Sequence, residues 1–330
     1  MDTFNTNLER ANSICYGYTK YLDDYSKIFP FTTENIDGYI DYFDLVNKSL
    51  LTIGSSGDQL LNAFLKGTND ITLYDINPYA KYYVYLKIAG ILCLEYNEFE
   101  EFFFKHGLGI YDNENRFSIN TFNKLKNTLK SIDYESYYFF NDLFNKYGSY
   151  NVSEYLFFNE ENRNKIIKKF NTYLKDEISY NKLKKIINNI NFKYVNGDIF
   201  KDKVEGKYDN IFLSNLCTIT TLKQLKELLI KLDNNLSTNG SMLIGYLWNT
   251  YYEKNDYQKN YKEVYKMPLT REILKDYITE YHNITSDTDI LFERNNKDDL
   301  VLIYRKHWKK SYNMIFYNKG KWLYGRRNKK

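Results

Sequence analysis

Leu50–Phe64 reads LLTIGSSGDQLLNAF, and a little further on Ile71–Pro78 reads ITLYDINP. An apolar run of strand length meets a turn with two glycines. An apolar helix-like stretch follows, and then a second apolar run that ends on an acidic residue. This is the order of a strand–helix–strand unit, which belongs to the α/β class. Gly54 and Gly57 let the backbone approach a ligand at the mouth of the first strand, and the helix beginning near Gln59 presents free N–H groups there. Asp75, seventeen positions after Asp58, closes the second strand, where a carboxylate can accept both hydroxyl protons of a ribose.

Working outward, apolar clusters between turn residues predict the remaining elements. A helical amino-terminal segment runs to about Phe29. Pro30 then starts a loop, PFTTENIDGY, before a further short helix. The first strand is expected over Ser49–Gly54, a helix over Gln59–Lys66 ending at Gly67, and the second strand over Ile71–Asp75. Asn77 as N-cap and Pro78 in the first helical position would open a long helix reaching about Glu95. From about Phe99 to Asn191 the text is Lys- and Asn-rich with helical periods, and it reads as an insertion. The β/α rhythm returns at Phe192–Val195 and Asn210–Leu213. It continues through a leucine-faced helix from Leu222 to Leu232 and reaches Ser241–Leu247. Two last apolar runs, Ile284–Phe292 and Leu300–Tyr304, flank the polar stretch ERNNKDD and predict a hairpin.

A mostly parallel sheet of seven strands that ends in an antiparallel hairpin is the Rossmann-like arrangement of S-adenosylmethionine (SAM)-dependent methyltransferases. Nicotinamide-binding domains usually keep a parallel edge, and the GxGxxG fingerprint of a dehydrogenase is missing. The division expected is a helical cap over 1–48, a SAM-binding core over 49–98 and 192–305, a helical insertion over 99–191, and a basic aromatic tail over 306–330.

Other strand ends add candidates. VNGDIF places Asp198 after a later strand, where it can accept from an adenine amino group, with Ile199 beside it to pack on the ring. YDNIFLSNL delivers Ser214 and Asn215 above the crevice where open α/β sheets bind ligands. Taken singly, each has a plainer reading: Asp75 as a helix cap, Asp198 as a loop residue, Asn215 as a partner of backbone. Their succession at strand ends favours a common site.

SSGDQLLNAFL, DINPYAKYYVYLKIAGI and LEYNEFEEFF resemble the betaine-lipid synthase A-subunit family, SAM:diacylglycerol 3-amino-3-carboxypropyltransferases and their bacterial relatives. The resemblance is concentrated between Leu50 and about Gly107, and the run from Asp75 through Asn77, Pro78, Leu86, Lys87 and Ala89 to Ile91 is its specific part. It implies SAM as cofactor, with Gly54, Ser55, Ser56, Gly57 and Asp58 near the methionine moiety, and Asp75, Ile76 and Asn77 at the ribose. Asp198 and Ile199 then face the adenine, and Asn215 the reacting end. The chain lacks the acidic residue that many methyltransferases carry at about Thr52.

Candidates on the acceptor side are Glu34 and Tyr39 from the loop before the first strand, Ser214 and Asn215, and Tyr246 with Trp248 after the fifth. Glu34 is a candidate base, and equally a helix-start residue in TTEN. A methyltransferase of a small molecule, lipid or RNA shares the fold and cofactor residues. A non-catalytic anion- or membrane-binding protein with a vestigial nucleotide site is the reading from another class.

Composition narrows the rest. Cys15, Cys93 and Cys217 form no CxxC pair, and His106, His282 and His307 are scattered, so neither a metal site nor a disulfide framework is expected, and a cytoplasmic setting is. No basic stretch precedes an apolar run at the amino terminus, and Tyr82–Tyr96 is too short and too polar to span a bilayer. The net charge of +4 conceals an asymmetry: Arg305–Lys330 holds ten Lys or Arg and no Asp or Glu, leaving 36 basic against 42 acidic residues before it. Cations interleaved with Trp308, Phe316 and Trp322 suit an anionic membrane surface or an RNA backbone, and equally a solvated terminus. The acceptor expected is a small molecule or a lipid. Oligomeric state has no signature in the sequence.

Overall fold

The computed structural model describes residues 3–17, 27–106, 116–158, 164–218, 220–245, 277–284 and 300–306. Helix α1 (Thr3–Cys15) and the short α2 (Ile36–Tyr39) precede strand β1 (Ser49–Ile53). Then come α3 (Asp58–Leu65), β2 (Asp70–Asp75) and α4 (Ala80–Cys93). Five helices lead on to β3: α5 (Tyr96–Phe103), α6 (Ile119–Ile132), α7 (Tyr134–Leu156), α8 (Asn164–Phe170) and α9 (Glu177–Ile186). β3 (Phe192–Asn196), β4 (Tyr208–Phe212), α10 (Leu222–Asp233), β5 (Leu236–Ile244), β6 (Tyr277–Asn283) and β7 (Leu300–Lys306) complete the set.

The seven strands form one sheet in the order β3-β2-β1-β4-β5-β7-β6. The first five are parallel, whereas β7 runs antiparallel to both β5 and β6. Alternation along each strand separates two cores, because successive side chains point to opposite faces. Leu50, Leu73, Phe212, Leu243 and Ile303 join the larger core under α1 and the helices from α3 to α9. Leu51, Tyr74, Ile211, Met242 and Leu302 join a second core under α10. This strand order, with an antiparallel seventh strand, is the Rossmann-like fold of SAM-dependent methyltransferases expected above.

Several boundaries depart from expectation. α4 starts at Ala80 rather than at Pro78. Asn77 caps the turn before it instead, its Oδ1 accepting the Tyr79 N–H at 2.9 Å. β5 lies over Leu236–Ile244, not Ser241–Leu247. The first strand of the hairpin is the polar stretch Tyr277–Asn283, not Ile284–Phe292, whose residues from 285 onward lie outside the described ones. A search for apolar runs misses β6 because its charges are met locally: Glu280 accepts from Arg305 at 2.8 Å and pairs with His282 at 3.2 Å. Ile28, expected at a helix end, forms a parallel bridge with Phe157. The boundary drawn at 98/99 falls inside α5.

Candidate functional site

β1 ends at Ile53 and the chain turns sharply. The Gly57 N–H donates to the Gly54 carbonyl at 2.8 Å, closing the turn, and Gly57 takes φ 79° as the cap of α3. Ser55 is also left-handed, with φ 37°. A Cβ at Gly57 would lie 2.9 Å from Val84 Cγ2, and one at Gly54 3.2 Å from Asp75 Oδ2, so the turn is pressed against both α4 and the end of β2. Its backbone grips that carboxylate: the Ser55 N–H donates to Asp75 Oδ2, and the Asn77 N–H donates to Oδ1 at 2.8 Å. Burial pushes the Asp75 carboxyl up to about 6 against these hydrogen bonds.

On the other side of β1 a second carboxylate closes the cleft. The loop before α2 carries Glu34, 4% exposed. Gln59 Nε2 donates to its Oε2 at 3.0 Å, Tyr39 OH donates to the same oxygen at 3.4 Å, and Ser214 Oγ donates to Oε1. Thr52 Oγ1 donates to Gln59 Oε1, which orients the amide so that its nitrogen faces Glu34. Ser214 is held at φ 52°, a further strained residue of the kind that clusters at ligand sites. Burial pushes the Glu34 carboxyl up to about 7. The cleft is lined by Glu34, Gly54, Ser55, Ser56, Ser214 and Asn215 together with Phe29 and Phe31.

Asp58 belongs to the same cleft but is committed internally. Its Oδ1 accepts from Lys87 Nζ at 2.6 Å and Tyr173 OH at 2.8 Å, and its Oδ2 from the Thr32 N–H at 2.6 Å and Ser56 Oγ at 2.9 Å. Those four donors fill the acceptor positions of a carboxylate. Lys87 is fully buried, donates also to the Ser56 carbonyl at 2.9 Å, and lies 4.2 Å from the Phe31 ring centroid. In the sequence Lys87 belongs to the run from Asp75 to Ile91 that carries the family resemblance, with no role in the site assigned to it. That lone cation in an otherwise apolar helix is the signal that calls for a buried counter-charge.

The parallel order places Asp198, Asp75, Gly54 and Ser214 at the carboxyl ends of neighbouring strands. At about 4.8 Å per strand this line covers ~14 Å, room for a nucleoside with a tail. Asp198 Oδ1 accepts the Phe200 N–H at 2.9 Å, and Oδ2 pairs with Lys201 at 2.8 Å. Ile199 is buried in the second core, whereas Ile76, 40% exposed, presents its side chain at the end of β2. Asn77 Nδ2 donates to the Lys27 carbonyl at 2.9 Å. Tyr246 and Trp248 lie outside the described residues, as does the tail from His307.

The fold defines a class by architecture alone, a Rossmann-like SAM-dependent methyltransferase fold with a helical elaboration. No family model and no curated relative matches the chain. Among solved structures it is similar to N-methyltransferase NodS from Bradyrhizobium japonicum in complex with S-adenosylhomocysteine, at 10% identity and TM-score 0.37, covering 92% of this chain and 99% of that one. It is also similar to a TehB-like SAM-dependent methyltransferase from Corynebacterium glutamicum, at 10% identity and TM-score 0.34, covering 92% and 97%. A third is the phosphoethanolamine N-methyltransferase 1 of Haemonchus contortus, at 8% identity and TM-score 0.41, covering 96% of this chain and 52% of that one. No helix among the described residues is long and apolar enough to cross a membrane.

Proposed function

We propose that the protein is a SAM-dependent transferase that moves the 3-amino-3-carboxypropyl group of SAM to a hydroxyl or amine acceptor, a small molecule or a lipid. The observation that carries the reading is the line of strand ends: Asp75 at β2, the left-handed turn Gly54–Gly57 after β1, and strained Ser214 after β4. A nucleoside held at Asp75 directs its amino-acid end along the turn toward Ser214 and Asn215. The sulfonium supplies the activation, and the protein's part is to align one of its carbons with the acceptor. For aminocarboxypropyl transfer the acceptor's lone pair would form the new bond to the methionine γ-carbon, the γ-carbon–sulfur bond would break with its electrons staying on sulfur, methylthioadenosine would leave, and the acceptor's hydroxyl or amine proton would pass to solvent. The preference for this group over methyl rests on the resemblance of residues 50–107 to the betaine-lipid synthase A-subunit family.

The deciding experiment is incubation with SAM and candidate hydroxyl and amine acceptors, including diacylglycerol, with chromatography of the adenosyl product. Methylthioadenosine is expected. S-adenosylhomocysteine would replace this reading with methyl transfer, and failure of SAM to bind, or binding insensitive to Asp75→Ala, would refute the cofactor assignment. The reading extends to place: a cytoplasmic protein that approaches an anionic membrane surface through its basic aromatic tail.

A further inference from the structure

On the reading of the cleft given above, we propose that Glu34 is the counter-ion of the ligand's α-ammonium group, supplying from the loop before β1 the carboxylate that β1 itself lacks at Thr52. Two buried carboxylates, Asp58 and Glu34, line the cleft, and their surroundings differ. Asp58 and Glu34 each accept from four donors, but one of those on Asp58 is the buried cation Lys87. Glu34 is surrounded by neutral donors: Gln59 from α3, Tyr39 from α2, and Ser214 with the Asn215 backbone after β4. Beyond them stands Cys217, whose thiol is pushed up to about 12 by burial and then by the Glu34 charge, so it stays neutral. Gly245, just after β5, packs closely beside Glu34, since a Cβ there would be 3.3 Å from Oε2. Burial raises the Glu34 titration against its hydrogen bonds, and none of the partners that form them is a cation.

Position selects which ligand cation this is. Asp75 and Glu34 lie on opposite flanks of β1: Asp75 ends β2, whereas Glu34 is bonded to Ser214 after β4. A ligand whose ribose is at Asp75 carries its sulfonium near the middle of that span and its amino-acid end at the β4 side. The group meeting Glu34 is then the terminal ammonium. Gln59 joins the two sites of interest, taking the Thr52 hydroxyl on its carbonyl and turning its amide nitrogen to Glu34. The charge that many related folds place on the strand is in this way delivered two hydrogen bonds away. Glu34 is thereby a binding group for the methionine end and not the proton acceptor of the reaction.

The test is calorimetric binding of SAM, S-adenosylhomocysteine and methylthioadenosine to the full chain and to Glu34→Gln, between pH 5.5 and 7.5, where the ligand's own α-amino group stays largely protonated. The first two carry the ammonium, and the third does not. For the unaltered protein, affinity for the first two is expected to fall tenfold or more from pH 7.5 to 5.5, with methylthioadenosine flat within twofold. At pH 7.5, Glu34→Gln is expected to weaken the first two at least tenfold and to change the third less than twofold. Equal effects on all three ligands, or none on any while SAM still binds, would overturn the assignment and leave the cofactor reading intact. A variant with lower turnover and unaltered affinities would overturn it too, by returning Glu34 to proton transfer. Absence of SAM binding to the unaltered protein sinks the assignment together with the reading on which it rests.

Discussion

Replacing Lys87 by Met keeps the stem of the side chain and deletes its charge. The consequence follows from the partner left behind, because Asp58 is 1% exposed and Lys87 fully buried, with Nζ 2.6 Å from Oδ1. Water cannot reach the carboxylate to replace the lost cation. Removing one member of such a pair costs about 3–5 kcal/mol, since an uncompensated charge remains in a medium that solvates it poorly. Loss of the hydrogen bond to the Ser56 carbonyl and of the contact with the Phe31 ring acts in the same direction. Urea unfolding followed by far-ultraviolet circular dichroism measures the effect, and a double-mutant cycle with Asp58→Asn isolates the coupling. The double variant is expected to be destabilised by clearly less than the sum of the single ones, because the amide needs no counter-charge. A Lys87→Met cost below about 1 kcal/mol, or strict additivity in the cycle, would refute the account of Asp58 as a charge held by Lys87.

Three further outcomes are expected. Gly57→Ala places a Cβ at φ 79° and 2.9 Å from Val84 Cγ2, so thermal melting should show a loss of about 1–3 kcal/mol, of which Val84→Ala in the same chain restores only the steric part. For Glu34, folding raises the carboxyl from 4.5 to about 7. The protonated form is the one the fold favours, so this contribution to stability is complete below about pH 4.5 and is lost as pH rises through about 7. At about 1.4 kcal/mol per pH unit, the stability of ligand-free Glu34→Gln relative to the unaltered protein should improve by about 3 kcal/mol between pH 4 and pH 8, and a difference independent of pH would contradict it. Truncation after Lys306 is expected to abolish salt-sensitive cosedimentation with vesicles rich in anionic lipid while SAM affinity is unchanged; undiminished vesicle binding removes the membrane role of the tail, and loss of RNA binding alone reassigns it.

The order of elements was legible wherever burial imposes a continuous apolar run, as in β1, β2 and β4, whose neighbours cover both faces. It failed at β6, an edge strand whose Glu280 is paired across to Arg305, because hydropathy does not register a charge that a neighbouring strand satisfies. It slipped at α4 because Asn77 caps a turn and the helix proper begins three residues later, a distinction of backbone geometry that residue type does not encode. Within the site, Glu34 and Tyr39 were readable as candidates from the loop before the first strand and Ser214 from its place after β4, and the structure joins Glu34 and Tyr39 through Gln59 and Ser214 to Glu34 directly. Gln59 itself was read as a helix-start residue. Its role depends on Thr52 and Glu34, which stand on either side of it in space but seven and twenty-five positions away in sequence. Tyr173, which reaches Asp58 across 115 positions, had no local signal at all.

That long-range contact changes what the helices between α4 and β3 do for the site. Asp58 gathers a backbone N–H from the loop before α2, a cation from α4 and a phenol from the turn between α8 and α9. Asn62, one turn further along α3, repeats the pattern: its Nδ2 donates to Asn171 Oδ1 at 2.8 Å, and its Oδ1 accepts the Tyr173 N–H at 3.3 Å. Buried polar groups left without these partners would each cost about 1–3 kcal/mol. The first turns of α3, and with them the glycine turn that ends at Gly57, are therefore completed by residues more than a hundred positions downstream. The helical elaboration is part of the structure that shapes the cleft, since Tyr173 and Asn171 bond to the same first turns of α3 that follow the left-handed Ser55 and Gly57. Tyr173→Phe, which removes one donor from Asp58 and leaves the packing of the ring, isolates that dependence. It is expected to lower SAM affinity and stability together, by an amount near that of one buried hydrogen bond to a charged group, about 1.5–3 kcal/mol. Stability lost without any change in SAM affinity would show that the turn keeps its shape without the contact.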